Sequence, residues 1–598
     1  MTGHGAAVMA DGTRFNVWAP AASSATLAVE PAGRAAITVA LDRVDGGYWQ
    51  ADVAAVGHGD RYTYSIDGGP PLPDPASGWQ PDGVHGASAV VDPRRFDWTD
   101  AEWRGRGLDG IVLYELHVGT FTPEGTLDSA IAELPRLAAL GVTTIELMPV
   151  NAFPGDRNWG YDGVYPYAVQ ASYGGPEALA HFVDAAHAHG LAVILDVVYN
   201  HVGPEGNHMG EFGPYFSTAY TTTWAPAMNV SEPDSDGVRD FYVGNAARWV
   251  RDFHVDGFRL DAVHAVFDTT ANPFWEQICR AAREAAAASR RRIVLIGETS
   301  DNDPRQLAGP DRHGYGFDAV WCDDVHHNLR VAMTGDREGY YADYDGTPAE
   351  LADTIRHRWK FRGQFSVARG RRHGRPVDEA APNRFVAHTQ NHDQVGNRPH
   401  GERPDHHVTA AQRRFAPSAV LLSPYTPMLF QGEEYGELGP FPFFVDHTDA
   451  ELLRATNEGR KAEFPDADWS EGYPVPGDPA TFESAKLDPS VAAPGTAHAQ
   501  LLAMYTELLR LRREVAPIAD PGAVQQVELV EGSVIVRRTL ADVTTALAIN
   551  ESDTPAALDV DGSLVFASDA EAWGGDAATA LTDGSLSLAP WSVALVVA

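Results

Sequence analysis

The sequence predicts a multi-domain protein: a (β/α)8 TIM-barrel catalytic domain flanked by N-terminal and C-terminal β-sandwich domains. Three observations lead there. The chain has 598 residues, several times the roughly 150 of an average domain. Its 44% hydrophobic and 10% aromatic content is that of a folded chain with a sizeable core. Its middle alternates short apolar runs with helix-spaced segments, whereas both ends read as short strands punctuated by Gly and Pro.

Residues 13–17 and 25–29 alternate apolar and polar side chains. Tyr48, Trp49 and Val53 follow a Gly46-Gly47 turn, and residues 61–66 run into Asp67-Gly68-Gly69. They place an Ig-like, carbohydrate-binding-like sandwich over 1–105, equally readable as a packing module or a sugar-binding one. From about 110, eight apolar runs read as strands: 111–118, 142–150, 191–199, 255–261, 293–296, 319–322, 384–389 and 427–430. Between them lie helical patterns over 127–140, 176–189, 239–253 and 274–288. Apolar strands joined by helices run parallel, and eight of them close into a barrel. A last helix over 499–513 ends the barrel unit, 106–515. Alternation and turns return over 524–560 and 563–597, giving a second sandwich, 516–598.

With 82 Asp and Glu against 45 Lys and Arg, the net charge is −37. That excludes a nucleic-acid partner, which requires gathered Lys and Arg. Cys279 and Cys322 show no metal-ligand spacing and no disulfide framework. No run approaches the roughly 18 apolar residues of a membrane span, and no export signal is visible, so a cytoplasmic location is expected.

In such a barrel the active site gathers where strands end and βα loops begin. Polar residues recur at five strand ends: Asp196 to His201, Arg259 to His264 with Asp261, Glu298, Asp323-Asp324, and Asn391-His392-Asp393. A single carboxylate there often caps a helix. Several in one mouth, beside His201, His264 and His392, raise one another's pKa values, as acid and nucleophile pairs require. The chemistry suggested is glycoside cleavage. There is no phosphate loop, no nucleophile elbow and no zinc pair. Asp196 and Asn200 could alternatively contribute to a calcium or magnesium site; the reading adopted has no metal and no cofactor.

These residues resemble the four signature regions of the α-amylase superfamily of glycoside hydrolases, in order, across roughly 110–515. Tyr114 to Thr126 is similar to branching and debranching members. Trp321 to His327, Thr334-Gly335, Glu338 to Tyr341 and Gly459 to Phe464 resemble its trehalohydrolase family in particular. The resemblance implies a retaining hydrolase that cuts the α-1,4 bond beside the terminal trehalose of maltooligosyltrehalose, with a glycogen-branching transferase as the alternative and a non-catalytic glucan-binding protein as a remote one. It implies Asp261 as nucleophile, oriented by Arg259. Glu298 becomes acid and then base, and Asp393 a transition-state ligand. It further implies that His201 and His392 donate to the same sugar ring and that Tyr161 stacks on it. Asp196 and His264 complete the binding set. Asp323, Asp324, His326 and His327 are the candidates for reading the trehalose end.

Overall fold

The computed structural model describes residues 3–222, 225–463 and 472–598. Eight parallel strands close into a barrel: β1 Leu113–Leu116, β2 Thr144–Leu147, β3 Ala192–Val197, β4 Gly257–Leu260, β5 Val294–Gly297, β6 Ala319–Trp321, β7 Phe385–His388 and β8 Thr426–Phe430. Each strand neighbours the next, and β8 pairs with β1. Six strands fall inside the apolar runs that announced them, and β5 and β8 overrun theirs by one residue, at Gly297 and Thr426. Ahead of the barrel lie two four-stranded antiparallel sheets, with Trp18, Tyr62 and Tyr64 in their core. After it come sheets of five and three strands over a core of Ile535, Leu558, Leu586 and Val596.

The period of two along each strand decides what faces the barrel axis. Leu113, Ile194, Val294, Ile296, Trp321, Val386 and Met428 form an enclosed apolar cluster of their own, apart from the larger core beneath the helices. Two residues further along the same faces come Glu115 on β1, Asp196 on β3, Glu298 after β5 and Asp323 after β6. On β4, Arg259 and then Asp261 hold that face. The lower barrel is therefore an apolar plug and the upper barrel a layer of charge.

One glycine is fixed by the close approach of two strands. Gly257 sits at φ +147° at the start of β4, where a Cβ would lie 1.8 Å from the Val294 carbonyl oxygen. A second fixes the join between the N-terminal sandwich and the barrel. A Cβ at Gly237, on helix Ser235–Asp252, would lie 2.0 Å from the Trp18 ring. Gly237→Ala is expected to cost about 1–3 kcal/mol by overpacking this joint, seen as a lower apparent Tm with intact activity at 25 °C. An unchanged Tm would mean that the ring shifts freely.

Two local expectations need correction, and one kind of element was not anticipated. The helix expected over 127–140 is broken into Leu127–Ala130, a 3-10 turn Ile131–Glu133 and Leu134–Leu140, with Pro135 in the first turn of the last piece, where its missing N–H costs nothing. The tail of the first apolar run leaves the strand, because Val118–Phe121 coils into a helical turn. The small hairpin Arg362–Ser366 with Arg371–Gly374 had no sequence signal, being polar and without an apolar alternation. Among the described residues no helix is long and apolar enough to cross a membrane.

Candidate active site

Arg259 is the centre of the site. It is 1% exposed, and its Nη1 lies 3.0 Å from both carboxyl oxygens of Asp196 and 2.5 Å from Asp261 Oδ1. Its Nη2 stands 3.7 Å from Glu298 Oε2, and its guanidinium lies 4.4 Å from the centre of the Trp321 ring. One fixed cation thus meets three carboxyl groups from three strands, and a planar guanidinium with several donors suits that task better than an ammonium.

Asp261 follows β4. Its Oδ2 accepts from Asn200 Nδ2 at 2.7 Å. Burial alone would raise its pKa, but Arg259, His201 and the hydrogen bond from Asn200 overcome that and hold the carboxyl below its ordinary value. The next residue, Ala262, takes a left-handed conformation at φ +38°, rare for a residue with a Cβ, and its N–H donates to Glu298 Oε2 at 2.7 Å. Glu298 moves the other way. Burial, reinforced by repulsion from Asp261, Asp393 and Asp323, outweighs Arg259 and lifts it to about 8. Two carboxyls sharing one arginine are thereby split into a charged and a neutral member, the arrangement acid-base work needs.

Asp393 lies in the first turn of the short helix His392–Gly396, whose N-cap Asn391 accepts from the Gln394 N–H. Its carboxyl is 40% exposed, accepts from Asn397 Nδ2 at 3.1 Å and stands 3.5 Å from His392 Nε2. Tyr161 donates its hydroxyl to Asp196 Oδ2 at 2.5 Å, and its ring stacks on His392 with centroids 5.2 Å apart. His201 packs against Asn200 and reaches the Tyr161 carbonyl oxygen through Nε2 at 3.1 Å. His264 is exposed on the turn after Asp261. Asp196 has its oxygens on Arg259 and Tyr161, while Asn200 turns its amide donor to Asp261. Among the described residues no group of three or more His, Cys, Asp or Glu is arranged to hold a metal ion.

The four residues expected to read the trehalose end separate. Asp323 borders the mouth, its carboxyl 23% exposed and 3.3 Å from His388 Nε2. Asp324 is 5% exposed, and its oxygens accept from Asn302 Nδ2 and the Tyr344 hydroxyl. His326 spends both ring nitrogens on the Thr389 carbonyl and the Tyr341 hydroxyl. His327 is 7% exposed, its nitrogens without a hydrogen-bond partner and its ring stacked on Tyr340 at 4.5 Å. The reason is helical. Helix Asp323–Thr334 begins here, so 324, 326 and 327 turn into the packing while 323 stays at the rim. In Gly459 to Phe464, Phe464 lies outside the described residues.

Two glutamates went unassigned in the sequence. Glu115, fully buried on β1, accepts from the His392 backbone N–H at 2.8 Å and meets its Nδ1 at 2.5 Å. Glu146, its partner in register on β2, is equally buried with neither oxygen hydrogen-bonded. The signal was present: an acid on the inward face of an otherwise apolar strand.

Eight parallel strands with this charge layer define a glycoside hydrolase barrel of the α-amylase class. Accordingly, residues 90–243 match the alpha amylase catalytic domain family, and residues 4–79 match carbohydrate-binding module 48, the isoamylase N-terminal domain. The chain is 47% identical to the malto-oligosyltrehalose trehalohydrolase of Arthrobacter ramosus, over 89% of this chain and 92% of that protein. It is 43% identical to that of Mycobacterium tuberculosis, over 97% and 98%. A crystal structure of a putative alpha amylase from Salmonella typhimurium superposes with a TM-score of 0.89 at 36% identity, over 100% of this chain and 99% of that one. The chain belongs to the malto-oligosyltrehalose trehalohydrolase family.

Proposed function

We propose that Asp261, Glu298 and Asp393 perform retaining hydrolysis of the α-1,4 bond adjacent to the terminal trehalose of maltooligosyltrehalose, releasing free trehalose. The observation that carries this is that Asp261 and Glu298 meet the same buried guanidinium, 2.5 Å and 3.7 Å away, where Arg259 holds the first carboxyl low and burial pushes the second up. Asp261 attacks the anomeric carbon as the carboxylate. Glu298 protonates the departing oxygen and then takes a proton from water. Asp393 accepts from sugar hydroxyls, His392 and His201 hold the same ring, Tyr161 lies under it, and exposed His264 borders the glucan path. Asp323 receives the trehalose end, with Asp324, His326 and His327 shaping the wall behind it. Asp196 acts through Arg259 and Tyr161.

The family relatives favour hydrolysis over branching. Incubation with maltooligosyltrehalose is expected to release trehalose, and incubation with amylose to form no α-1,6 linkages. New α-1,6 linkages without trehalose would reject the reading. Proton NMR of the first turnovers is expected to show the α-anomer at the new glucan end, and a β-anomer appearing first would overturn retention. On the same footing, 1–105, 106–515 and 516–598 are three domains. The free, buried Cys279 and Cys322 support a reducing, cytoplasmic setting, and the net charge of −37 argues against nucleic acid.

A further inference from the structure

A count of protons around His392 leads beyond the acids themselves. Tyr161 has one hydroxyl proton and gives it to Asp196 Oδ2 at 2.5 Å. Asp196 is positioned to accept: both its oxygens also lie 3.0 Å from Arg259 Nη1. The same Tyr161 oxygen lies 2.8 Å from His392 Nε2, so Nε2 must carry a hydrogen and donate it. On the other side of the ring, Nδ1 lies 2.5 Å from Glu115 Oε1, while Oε2 accepts the His392 backbone N–H. A carboxylate gripping one residue by ring and backbone accepts there too. Both ring nitrogens are then donors, and His392 is an imidazolium.

We propose that Glu115 is a positioning residue that holds His392 in its doubly protonated form, so that the charged ring supports Tyr161 from below and fixes it for the sugar. The proposal rests on the role given above to Tyr161 under the sugar, and it makes the hold of His392 on that sugar indirect, since both ring N–H groups are taken by Glu115 and Tyr161. It adds the residue that enforces that role, from a strand that contributes none of the catalytic acids.

Among the ionisable groups facing the ring, Asp196 is pushed up to about 7, chiefly by burial, and it accepts from Tyr161 in the ionised form that Arg259 holds. Glu115 on β1 and Asp393 next door are negative. Arg259 on β4 opposes the charge from across Asp196, and His117 is a further ring whose burial lowers it to about 4, leaving it neutral. Burial would discharge His392, yet Glu115 and Asp393 raise it to about 9. Glu146 on β2, buried without a partner beside Glu115, is pushed upward by burial and by Glu115 and Asp196, and stays neutral. The pair of glutamates therefore carries one negative charge, matched to one imidazolium.

The test is the pH profile of kcat/KM for trehalose release by Glu115→Gln. Each profile is divided by that of wild type from pH 5.5 to 7.5, since Asp196 at about 7 and Glu298 at about 8 titrate in all of them. In the variant, His392 falls to its ordinary value of about 6.5 or below, so the ratio drops about tenfold or more as the pH rises across that interval. Glu115→Asp keeps the charge and a flat ratio, and Glu146→Gln, which replaces a neutral group by a neutral one, keeps it flat. A flat ratio for Glu115→Gln, or a drop for Glu146→Gln, would overturn the proposal. Titration of the wild-type protein carrying ¹⁵N-histidine, with the signals assigned through His392→Gln, decides independently of activity. A ring titrating near 9 supports the assignment, and one at or below 6.5 refutes it even if Glu115→Gln does not fold. A wild-type protein that released no trehalose would fail the reading of function instead, and leave this titration informative.

Discussion

Asp261→Asn is expected to lose at least about 10⁴-fold in kcat, roughly 5.4 kcal/mol of barrier, while the protein stays folded. The carboxylate is proposed as the atom that bonds to the anomeric carbon, and an amide supplies neither its charge nor its nucleophilicity. The surroundings set a second consequence. Both oxygens of Asp261 accept from N–H donors, Arg259 on one side and Asn200 on the other. An asparagine can satisfy one of them and must turn its own NH2 toward the other, so a buried donor loses its acceptor at a cost of about 1–3 kcal/mol. Arg259 keeps Asp196 as a counter-ion, which limits the damage. The expected result is a folded protein with a modestly lower Tm, essentially no trehalose release and retained glucan binding. Activity within about a hundredfold of wild type would remove Asp261 from the role assigned to it.

The barrel was legible because its signal is long-range and repetitive. Eight apolar runs separated by helical patterns leave few alternatives, and the rule that chemistry gathers at strand ends then selected Asp261, Glu298 and Asp393 as candidates. What escaped notice had a different physical character. Glu115 and Glu146 lie within strands rather than at their ends, and a single acid in an apolar run gives no hint of its partner until β1 is seen beside the turn that carries His392. The dense polar string after Asp323 suggests hydroxyl recognition and so points these residues to the mouth. Only the start of a helix there separates Asp323 from Asp324, His326 and His327, and helix starts are poorly fixed in sequence. Nor does the linear order show that Ala262 takes a left-handed conformation and turns its N–H to Glu298.

The net charge itself has little to do with the reaction. A neutral glucan gains nothing from a distant negative field, and the consequential acids are those crowded against Arg259. Within that group the energetic divide is between Asp261, which Arg259 and Asn200 keep charged, and Glu298, which burial keeps neutral.

That divide makes Glu298→Gln the sharper experiment. An amide cannot protonate the departing oxygen, so hydrolysis of maltooligosyltrehalose is expected to fall by about 10²–10⁴-fold. Substrates whose leaving group needs no proton, such as an aryl glucoside with an acidic phenol, should lose far less in the step that forms the glycosyl-enzyme. The pH dependence follows from the direction of each shift. Wild type requires Asp261 ionised, and since its pKa lies below the ordinary carboxylate value, activity rises early on the acid side. Wild type also requires Glu298 protonated, and with that group at about 8, activity is retained through neutrality and lost as the pH climbs past it. Glu298→Gln has nothing left to deprotonate, so its residual activity on the aryl glucoside should keep the acid limb and lose the alkaline fall near 8. An alkaline limb that persists unchanged in the variant would assign that titration to another group and withdraw Glu298 from the role of acid.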